Sequence, residues 1–378
     1  MSINTSFSIK LVLVRMTQLF VGGLFIFSGL VKMNDPVGFS FKLEEYFSEE
    51  VLNIPIFEPL ALPLAILLVA VEVLLGLSLL MGIWKRFVLI LLSAMIAFFT
   101  FLTFWSAYFN QVTDCGCFGD AIPLTPWESF YKDVVLCVLI LILWSGENQI
   151  FDKVPRFIST VVMSLGLMFS IWFTYKVMNH LPSKDFRPYA EGLSIIEGMT
   201  PAEDLGLEPP KFEVIYTMEN NRGERQEISS SQYINEKWWD KTEWTMLSEL
   251  SKTIKVSDGY EPPVHDFSIM NNYGDITDSV LSLDEVWLLV AFNRLKTSEN
   301  GWQNVLPKLK TLEQNNTPYL ILSASMPEDF IDCGYRVSMP FAFTDETTLK
   351  TMIRSNPGWV VLNNGTVIKK YHHNDSPK

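Results

Sequence analysis

Residues 10–32 read KLVLVRMTQLFVGGLFIFSGLVK. This run decides the fold, because about 20 mostly apolar residues are enough for a helix to cross the hydrocarbon layer of a bilayer. Four further segments read the same way: 58–83, 87–109, 130–146 and 156–177. The fourth is the shortest, YKDVVLCVLILILWS at its heart. In lipid each must satisfy its backbone hydrogen bonds internally, so each is expected to be a helix. The first span lacks a small-x-small cleavage pattern after its apolar core and is read as retained.

The 378 residues divide into two unlike parts. Residues 1–179 carry 10 Lys+Arg and 13 Asp+Glu, whereas 180–378 carry 19 and 29, so most of the net charge of −13 lies in the second part. A membrane region is followed by an acidic water-facing region. Nucleic acid is excluded as a partner, since phosphate neutralisation needs clustered Lys and Arg, which the sequence does not show; the lipid bilayer is the expected environment. Lys10, Arg15, Trp84-Lys85-Arg86, Lys153 and Arg156 fall at alternate loops or ends. By the positive-inside rule they place the N-terminus in the cytoplasm. Loops 33–57 and 110–129 and everything after the fifth span are then periplasmic, in a multi-pass protein of a bacterial inner membrane.

Loop 110–129 contains TDCGCFGDA, which holds two of the chain's four cysteines, Cys115 and Cys117. Outside the cytoplasm thiols can form and keep disulfides. A pair one residue apart closes no loop worth constraining, and a strained small ring is more oxidising than a structural bridge. Three readings of the pair stand: a redox dithiol, part of a soft-metal site, or a packing turn. No further metal ligands are assigned. Asp114 and Asp120 should raise the thiol pKa values by like charge. Cys137, about two turns into the fourth span, is a candidate resolving thiol or an inert core residue. Glu72, in AVEVLLGLSLLMG, is a carboxylate near mid-membrane and calls for a partner or a cavity. Arg15 is the candidate partner, with snorkelling of Arg15 favoured. Lys32 and Asp133, at outer span ends, are expected to be solvated. Gly22, Gly23 and Gly29 should let helices approach closely.

Residues 180–261 read as a linker with a small β-hairpin, FEVIYTMENNRGERQEIS, followed by the aromatic WWDKTEW. From about 264 strands and helices alternate. VWLLVAF (286–292) and PYLILSAS (318–325) read as buried strands around the helical GWQNVLPKLKTLEQ, with Pro307 a blemish. PFAFTD, the helix ETTLKTMIRS and two strands joined by Asn-Gly follow. The class is α/β. Cys333 reads as a core residue, and His372 and His373 as solvated.

Residues 262–378 resemble the thioredoxin-like fold of the TlpA and peroxiredoxin type, through PVHDFSIMNNYGDITD at its entry and SNPGWVVLNNGTVIKKY at its end. The resemblance implies that Pro357 fills the cis-proline position. It also implies a Cys-x-x-Cys after the first core strand, in NRLKTSENGW (293–302), where this chain has no cysteine. Residues 1–150 resemble the DoxX/MauE group of helical membrane proteins, through Arg15, FIFSGLVKMNDPVGFSFKLEEY, Glu72 and DCGCFGDA. With residues 151–179 as a fifth helix and DFRPYAEG after it, the chain resembles two-part bacterial proteins, as in Bacteroidetes, that join such a bundle to a thioredoxin-like tail.

The expected architecture is multi-domain: a bundle of four to five transmembrane helices (1–150, then 151–179) and an α/β thioredoxin-like extracytoplasmic domain (262–378). The resemblance implies redox chemistry at the membrane. Cys115 and Cys117 would exchange with an extracytoplasmic thiol/disulfide client protein, and a quinone is the candidate membrane carrier. Whether the chain is an enzyme, a thiol-disulfide oxidoreductase, or a non-catalytic membrane-anchored assembly factor that binds a client is left open by the residues.

Overall fold

The computed structural model describes residues 5–109, 112, 116, 118–257, 259–295, 297–336 and 338–377. The N-terminal part is a helical bundle: α1 (Thr5–Asn34), α2 (Pro36–Phe47), α3 (Ala61–Met81), α4 (Lys85–Phe109), α5 (Pro126–Ser145) and α6 (Arg156–Asn179). Four helical stretches, Ile9–Asn34, Pro55–Met81, Lys85–Phe109 and Arg156–Asn179, are long and apolar enough to cross a membrane. The protein is a multi-pass membrane protein. Helix α5 carries Glu128, Lys132 and Asp133 in its first two turns, which lowers its mean hydropathy. It still runs the depth of the bundle: Lys10 Nζ, near the start of α1, donates to Ser145 O at the end of α5 (2.8 Å). Leu136, Ile140 and Leu143 of α5 share one buried core with Val14, Val21 and Phe25 of α1 and with α3 and α4. The outward faces of α1 (Val12, Met16, Leu19) and α6 (Leu165, Met168, Ile171, Trp172) stay apolar and exposed, as a lipid-facing surface must be.

The stretch 33–57, read as an outer loop, holds a helix. Asp35 caps α2 by accepting from Gly38 N (2.8 Å), and Pro36 occupies the first turn, where its missing N–H costs nothing. Phe39, Leu43 and Phe47 then face α3 and bury against Ala61, Ala65 and Val69.

The C-terminal part begins with a three-stranded sheet ordered β2-β1-β3, from β1 (Lys211–Asn220), β2 (Arg225–Ser229) and β3 (Trp244–Ser257). Trp238 of WWDKTEW packs on it beside Met218 and Ile228. The strand β3 is a third partner that the hairpin reading did not include. The larger sheet has seven strands ordered β10-β9-β6-β7-β8-β4-β5. They are β4 (Met270–Asn271), β5 (Gly274–Asp275), β6 (Val286–Ala291), β7 (Tyr319–Ser323), β8 (Phe341–Phe343), β9 (Gly358–Asn363) and β10 (Thr366–His372). Two helices serve this sheet, α7 (Glu299–Gln314) between β6 and β7 and α8 (Glu346–Met352) between β8 and β9. Strands β6, β7 and β8 are parallel; β9 and β10 return antiparallel beside β6. Their turn is Asn364-Gly365, both at positive φ (45° and 72°), as a two-residue hairpin requires. The alternation of β6 sorts its side chains. Leu289 and Ala291 face Trp302, Val305 and Leu309 of α7, whereas Leu288 and Val290 face Leu349 and Met352 of α8 and Ile195. A strand covered on both faces reads as a continuous apolar run, which VWLLVAF is. A membrane bundle is thus followed by an α/β domain whose topology is consistent with a thioredoxin-like fold.

The first part of the linker belongs to this domain. Gly192 N and Ile195 N donate to Val367 O and Gly365 O, and Tyr189 and Ile195 enter its core. Cys333 is buried in the α7 face of the core. The histidines near the end are not solvated as expected. His372 is 4% exposed and stacks beside His373 (4.0 Å between rings). Burial, with the nearby His373 and His180, pushes its pKa down to about 3. Between pH 6.5 and 3 the unfolded chain therefore binds a proton that the folded domain does not, so stability falls as pH drops through that window. Urea unfolding of the domain followed by tryptophan fluorescence should lose on the order of 1–2 kcal/mol between pH 7 and pH 5 from this group. His372→Gln should remove that part of the loss, and an identical pH slope in the variant would contradict it.

Candidate functional site

Small residues bring α1 and α3 together. A Cβ on Gly29 would lie 2.6 Å from Val73 Cγ2, and one on Gly76 would lie 2.7 Å from Gly22 O, so both positions exclude a side chain. Nothing lies near Gly23, which takes no part in the contact. This approach sets Lys32, one turn beyond Gly29, against Glu72, next to Val73. Lys32 Nζ donates to Glu72 Oε2 (2.8 Å), Oε1 (3.0 Å) and Ser28 Oγ (3.0 Å), and lies over the ring of Phe99 (4.9 Å). Lys32 and Glu72 are 4% and 5% exposed. The partner of Glu72 is thus Lys32 and not Arg15. Arg15 is on the other side of the bundle, with its guanidinium 6.0 Å from the ring of Phe151. The expectation of a solvated Lys32 failed because α2 folds back over the end of α1 and covers it.

Asp133 is buried as well, also contrary to expectation. Thr103 Oγ1 of α4 donates to its Oδ2 (3.0 Å), and Lys132 Nζ to its Oδ1 (2.6 Å). Lys132 also lies over the ring of Phe118 (5.2 Å). Ser28, Lys32, Glu72, Lys132, Asp133 and Phe118 together line a cavity of about 30 Å³, room for one water. Phe118, the residue after Cys117, closes this polar centre from above.

Cys115 and Cys117 themselves, with Asp114, lie outside the described residues. The residues between and after them are described. Gly116 is buried at φ 64°, with the Lys42 side chain 3.3 Å from where its Cβ would be. The positive φ and the close neighbour both call for glycine there. Gly116, Gly119 and Asp120 line a cleft of about 550 Å³ between α2, the segment 182–187 and α8. Cys137 lies within the α4–α5 contact, half-buried, its Sγ 3.6 Å from Thr100 Oγ1.

The cleft is where the two domains meet. Arg354, just after α8, donates from Nε to Asp35 Oδ2 (2.7 Å), from Nη1 to Lys350 O, and from Nη2 to Asp120 Oδ2 (3.4 Å). Its guanidinium lies 5.4 Å from the ring of Phe41, which in turn packs edge-on against Phe292 at the end of β6. Below it, Arg187 donates from Nε and Nη2 to Asp185 (2.8 and 3.0 Å) and from Nη1 to Thr351 O (3.0 Å). Lys370 Nζ also donates to Asp185 (2.9 Å) and to Met352 O. Burial acts to raise the pKa of Asp35, but Arg354 and Arg187 outweigh it and hold the carboxyl below its ordinary range. The same balance holds for Asp185, through Arg187 and Lys370. Burial and the Arg187 charge push Lys370 down to about 8.

In the C-terminal domain, the helix after β6 starts at Ser298, whose Oγ accepts from Gly301 N (3.1 Å). The Asn356–Pro357 bond is cis. A Cβ on Gly301 would lie 3.0 Å from Pro357 Cδ. Ser298 and Gly301, spaced i and i+3 at the helix start, therefore occupy the place expected for a Cys-x-x-Cys. Cys333 is elsewhere, and burial raises its thiol pKa.

Sequence reasoning missed Lys32, Asp133 and Arg354 as parts of the site. The glycines at 22, 29 and 76 are a register signal that could have paired α1 with α3 and Lys32 with Glu72. No local signal marks Arg354, whose partners are 319 and 234 residues away.

Residues 10–146 match the family described as methylamine utilisation protein MauE. The chain is also similar to Protein TlpB of Flavobacterium psychrophilum, at 23% identity over 203 residues. That match covers 52% of this chain and 50% of the relative, so the chain spans about half the length of the curated relative it matches. No solved structure matches the chain significantly.

A buried ion pair broken on one side leaves an uncompensated charge at a cost of about 3–5 kcal/mol, whereas replacing both members by neutral groups costs far less. Lys32→Met and Glu72→Gln should each lower the thermal midpoint of the purified protein in lipid nanodiscs. The double variant should lie above either single one. Additive losses would show that the two side chains are not coupled.

Proposed function

We propose that the protein is a membrane-bound thiol–disulfide exchange protein whose reacting groups are Cys115 and Cys117. The observation that carries this reading is the position of Gly116. It sits between the two cysteines in the chain and lines the cleft between the bundle and the α/β domain, two residues before Phe118, which lines the buried polar cavity. In this reading the loop and the domain face the periplasm, and the bundle lies in the bacterial inner membrane with the N-terminus in the cytoplasm.

A thiolate of a client protein attacks one sulfur of the Cys115–Cys117 disulfide, forming a mixed disulfide and releasing the other cysteine as thiolate. The second client thiolate attacks the client sulfur of the mixed bond. The client leaves oxidised, and the loop holds two thiols, having gained two electrons and two protons. A membrane quinone restores the disulfide by accepting both electrons and both protons to become a quinol. In this reading Glu72, Lys32 and Asp133 are the groups available to carry protons within the bundle, and Cys137 resolves a mixed disulfide if the loop folds back to it. The thioredoxin-like domain, with Ser298 and Gly301 in place of cysteines, presents the client and performs no exchange itself.

That replacement also supports a second reading, in which the bundle is an anchor and the domain holds a client for assembly without chemistry. Acid trapping of thiols in intact membranes, followed by labelling with a bulky maleimide, separates the two. In the exchange reading Cys115 and Cys117 cycle between labelled and unlabelled forms with added reductant and quinone, and Cys115→Ser or Cys117→Ser abolishes client oxidation. Full function in both serine variants, lost only on removing 262–378, would establish the assembly reading in its place.

A further inference from the structure

The outer surface of a membrane helix is normally apolar, because hydrocarbon offers a hydroxyl no hydrogen-bond partner. One face of α6 departs from this. Arg156, Thr160 and Ser164 recur at every fourth residue, which sets them in one row along the helix. With Trp84, Leu74 and Leu167 they line a groove of about 810 Å³ between α3 and α6. Arg156, Thr160, Ser164, Leu167 and Trp84 are all exposed, so the groove opens outward from the bundle. The two helices are tied together where Ser78 Oγ of α3 donates to Met163 Sδ of α6 (3.4 Å).

Four polar groups in the groove have no partner among the described residues: the Arg156 guanidinium, the Thr160 and Ser164 hydroxyls and the Trp84 indole N–H. Elsewhere on α6 the usual solution is used. Ser159 and Ser170 donate back to Pro155 O (3.3 Å) and Gly166 O (2.8 Å). The charges at this end of the bundle are also unbalanced. Asp152, on the groove wall, is held by Lys85 (2.7 Å), and Glu147 by Arg86 (3.0 Å). Lys10, Arg15, Lys153 and Arg156 add positive charge there that no carboxylate meets among the described residues.

We infer that the α3–α6 groove binds an anionic glycerophospholipid, with its phosphate at Arg156 and Trp84, its ester carbonyls at Thr160 and Ser164, and one acyl chain along Leu74 and Leu167. The dimensions agree. From Arg156 to Leu167 a helix rises about 16 Å, which is about half of a hydrocarbon core about 30 Å thick. The order of groups along the row is that of a lipid in one leaflet: charge, then hydrogen-bonding groups, then apolar surface. A free phosphate would use Arg156 and leave the hydroxyls unpartnered. A neutral lipid would use the hydroxyls and leave Arg156 unpaired. A second copy of the chain docked on this face by two-fold symmetry would bring two guanidinium groups to the same depth. An anionic phospholipid satisfies the whole row, and the surplus positive charge around the groove favours it further. The site is independent of the exchange reading.

The experiment uses the full chain, purified in detergent and stripped of lipid. It is titrated with phosphatidylglycerol or phosphatidylcholine of the same chain length, and bound lipid is counted by native mass spectrometry. The first phosphatidylglycerol should bind about fivefold or more tighter than the first phosphatidylcholine, the factor expected of one basic residue at a membrane surface. Arg156→Gln should abolish that preference and Arg156→Lys should keep most of it. Arg156 is exposed and makes no ion pair among the described residues, so the Gln variant is expected to fold with wild-type helix content. Thr160→Val combined with Ser164→Val should weaken both lipids alike. Lys153→Gln removes the same charge from the same end, outside the groove lining, and should change the first binding event by less than about twofold. Equal losses in Arg156→Gln and Lys153→Gln would reveal diffuse attraction to the basic end and overturn the inference. Displacement of the lipid by an equal concentration of inorganic phosphate would overturn it in favour of a free-anion site. A dimer that excludes lipid and comes apart in the Thr160→Val, Ser164→Val variant would overturn it in favour of a second copy of the chain.

Discussion

The ion pair between Lys32 and Glu72 is the constraint around which the bundle is arranged. A charge inside a membrane protein is tolerated when it is matched and its remaining hydrogen-bonding capacity is used. Here the ammonium meets both carboxylate oxygens and Ser28 Oγ, with Phe99 facing the charge. The pair can form only because Gly22, Gly29 and Gly76 remove the side chains that would hold α1 and α3 apart. It stays buried only because α2 folds over it. The same geometry places Phe118 against this polar cavity, beside Lys132. Helix packing, a buried charge pair and loop position are one arrangement.

The apolar runs and the βαβ pattern were legible in the sequence because both depend on local periodicity. Runs of about 20 apolar residues can be little else than membrane helices, and VWLLVAF is too continuous to be a half-exposed strand. What could not be read was pairing at a distance. Glu72 was recognisable as needing a partner, but Arg15 and Lys32 are both basic residues on α1, and only the glycine register tells them apart. Asp133 looked solvated because it lies at the outer end of a span, and its partner Thr103 is on another helix. Helix α2 was hidden in an apparent loop, although Asp35-Pro36 is a recognisable helix start. The histidines at 372 and 373 looked terminal and therefore exposed. His372 is buried and His373 half-buried, because β10 ends beside the start of α7.

The C-terminal domain raises a different question, since its fold is kept while the residues expected to carry its chemistry are not. Ser298 still caps α7 through Gly301 N, so the helix start is preserved without sulfur. The adjoining face is used for contact. Phe41 from the bundle packs on Phe292, immediately after the strand that would lead into a redox motif, and Arg354 sits two residues before the Asn356–Pro357 bond. This face of the α/β domain is in part turned toward the protein's own membrane bundle.

That placement gives a physical reason for joining the two parts in one chain. The α/β domain keeps one cysteine, Cys333, which is buried in its core and does not line the cleft. At the cleft the domain supplies Arg354, and the bundle side supplies the carboxylates of Asp35 and Asp120 that it meets. The contact is built on Phe41, Arg354 and Asp35, with Asn34 tied to Lys184 (2.7 Å) below. Contacts of this polar kind between domains favour relative motion more than a large apolar seam would. Covalent linkage gives the domain a high effective concentration at the bundle, so the contact need not be strong to form. A cleft divided in this way between a bundle and a tethered domain does not need a large apolar seam to be held together.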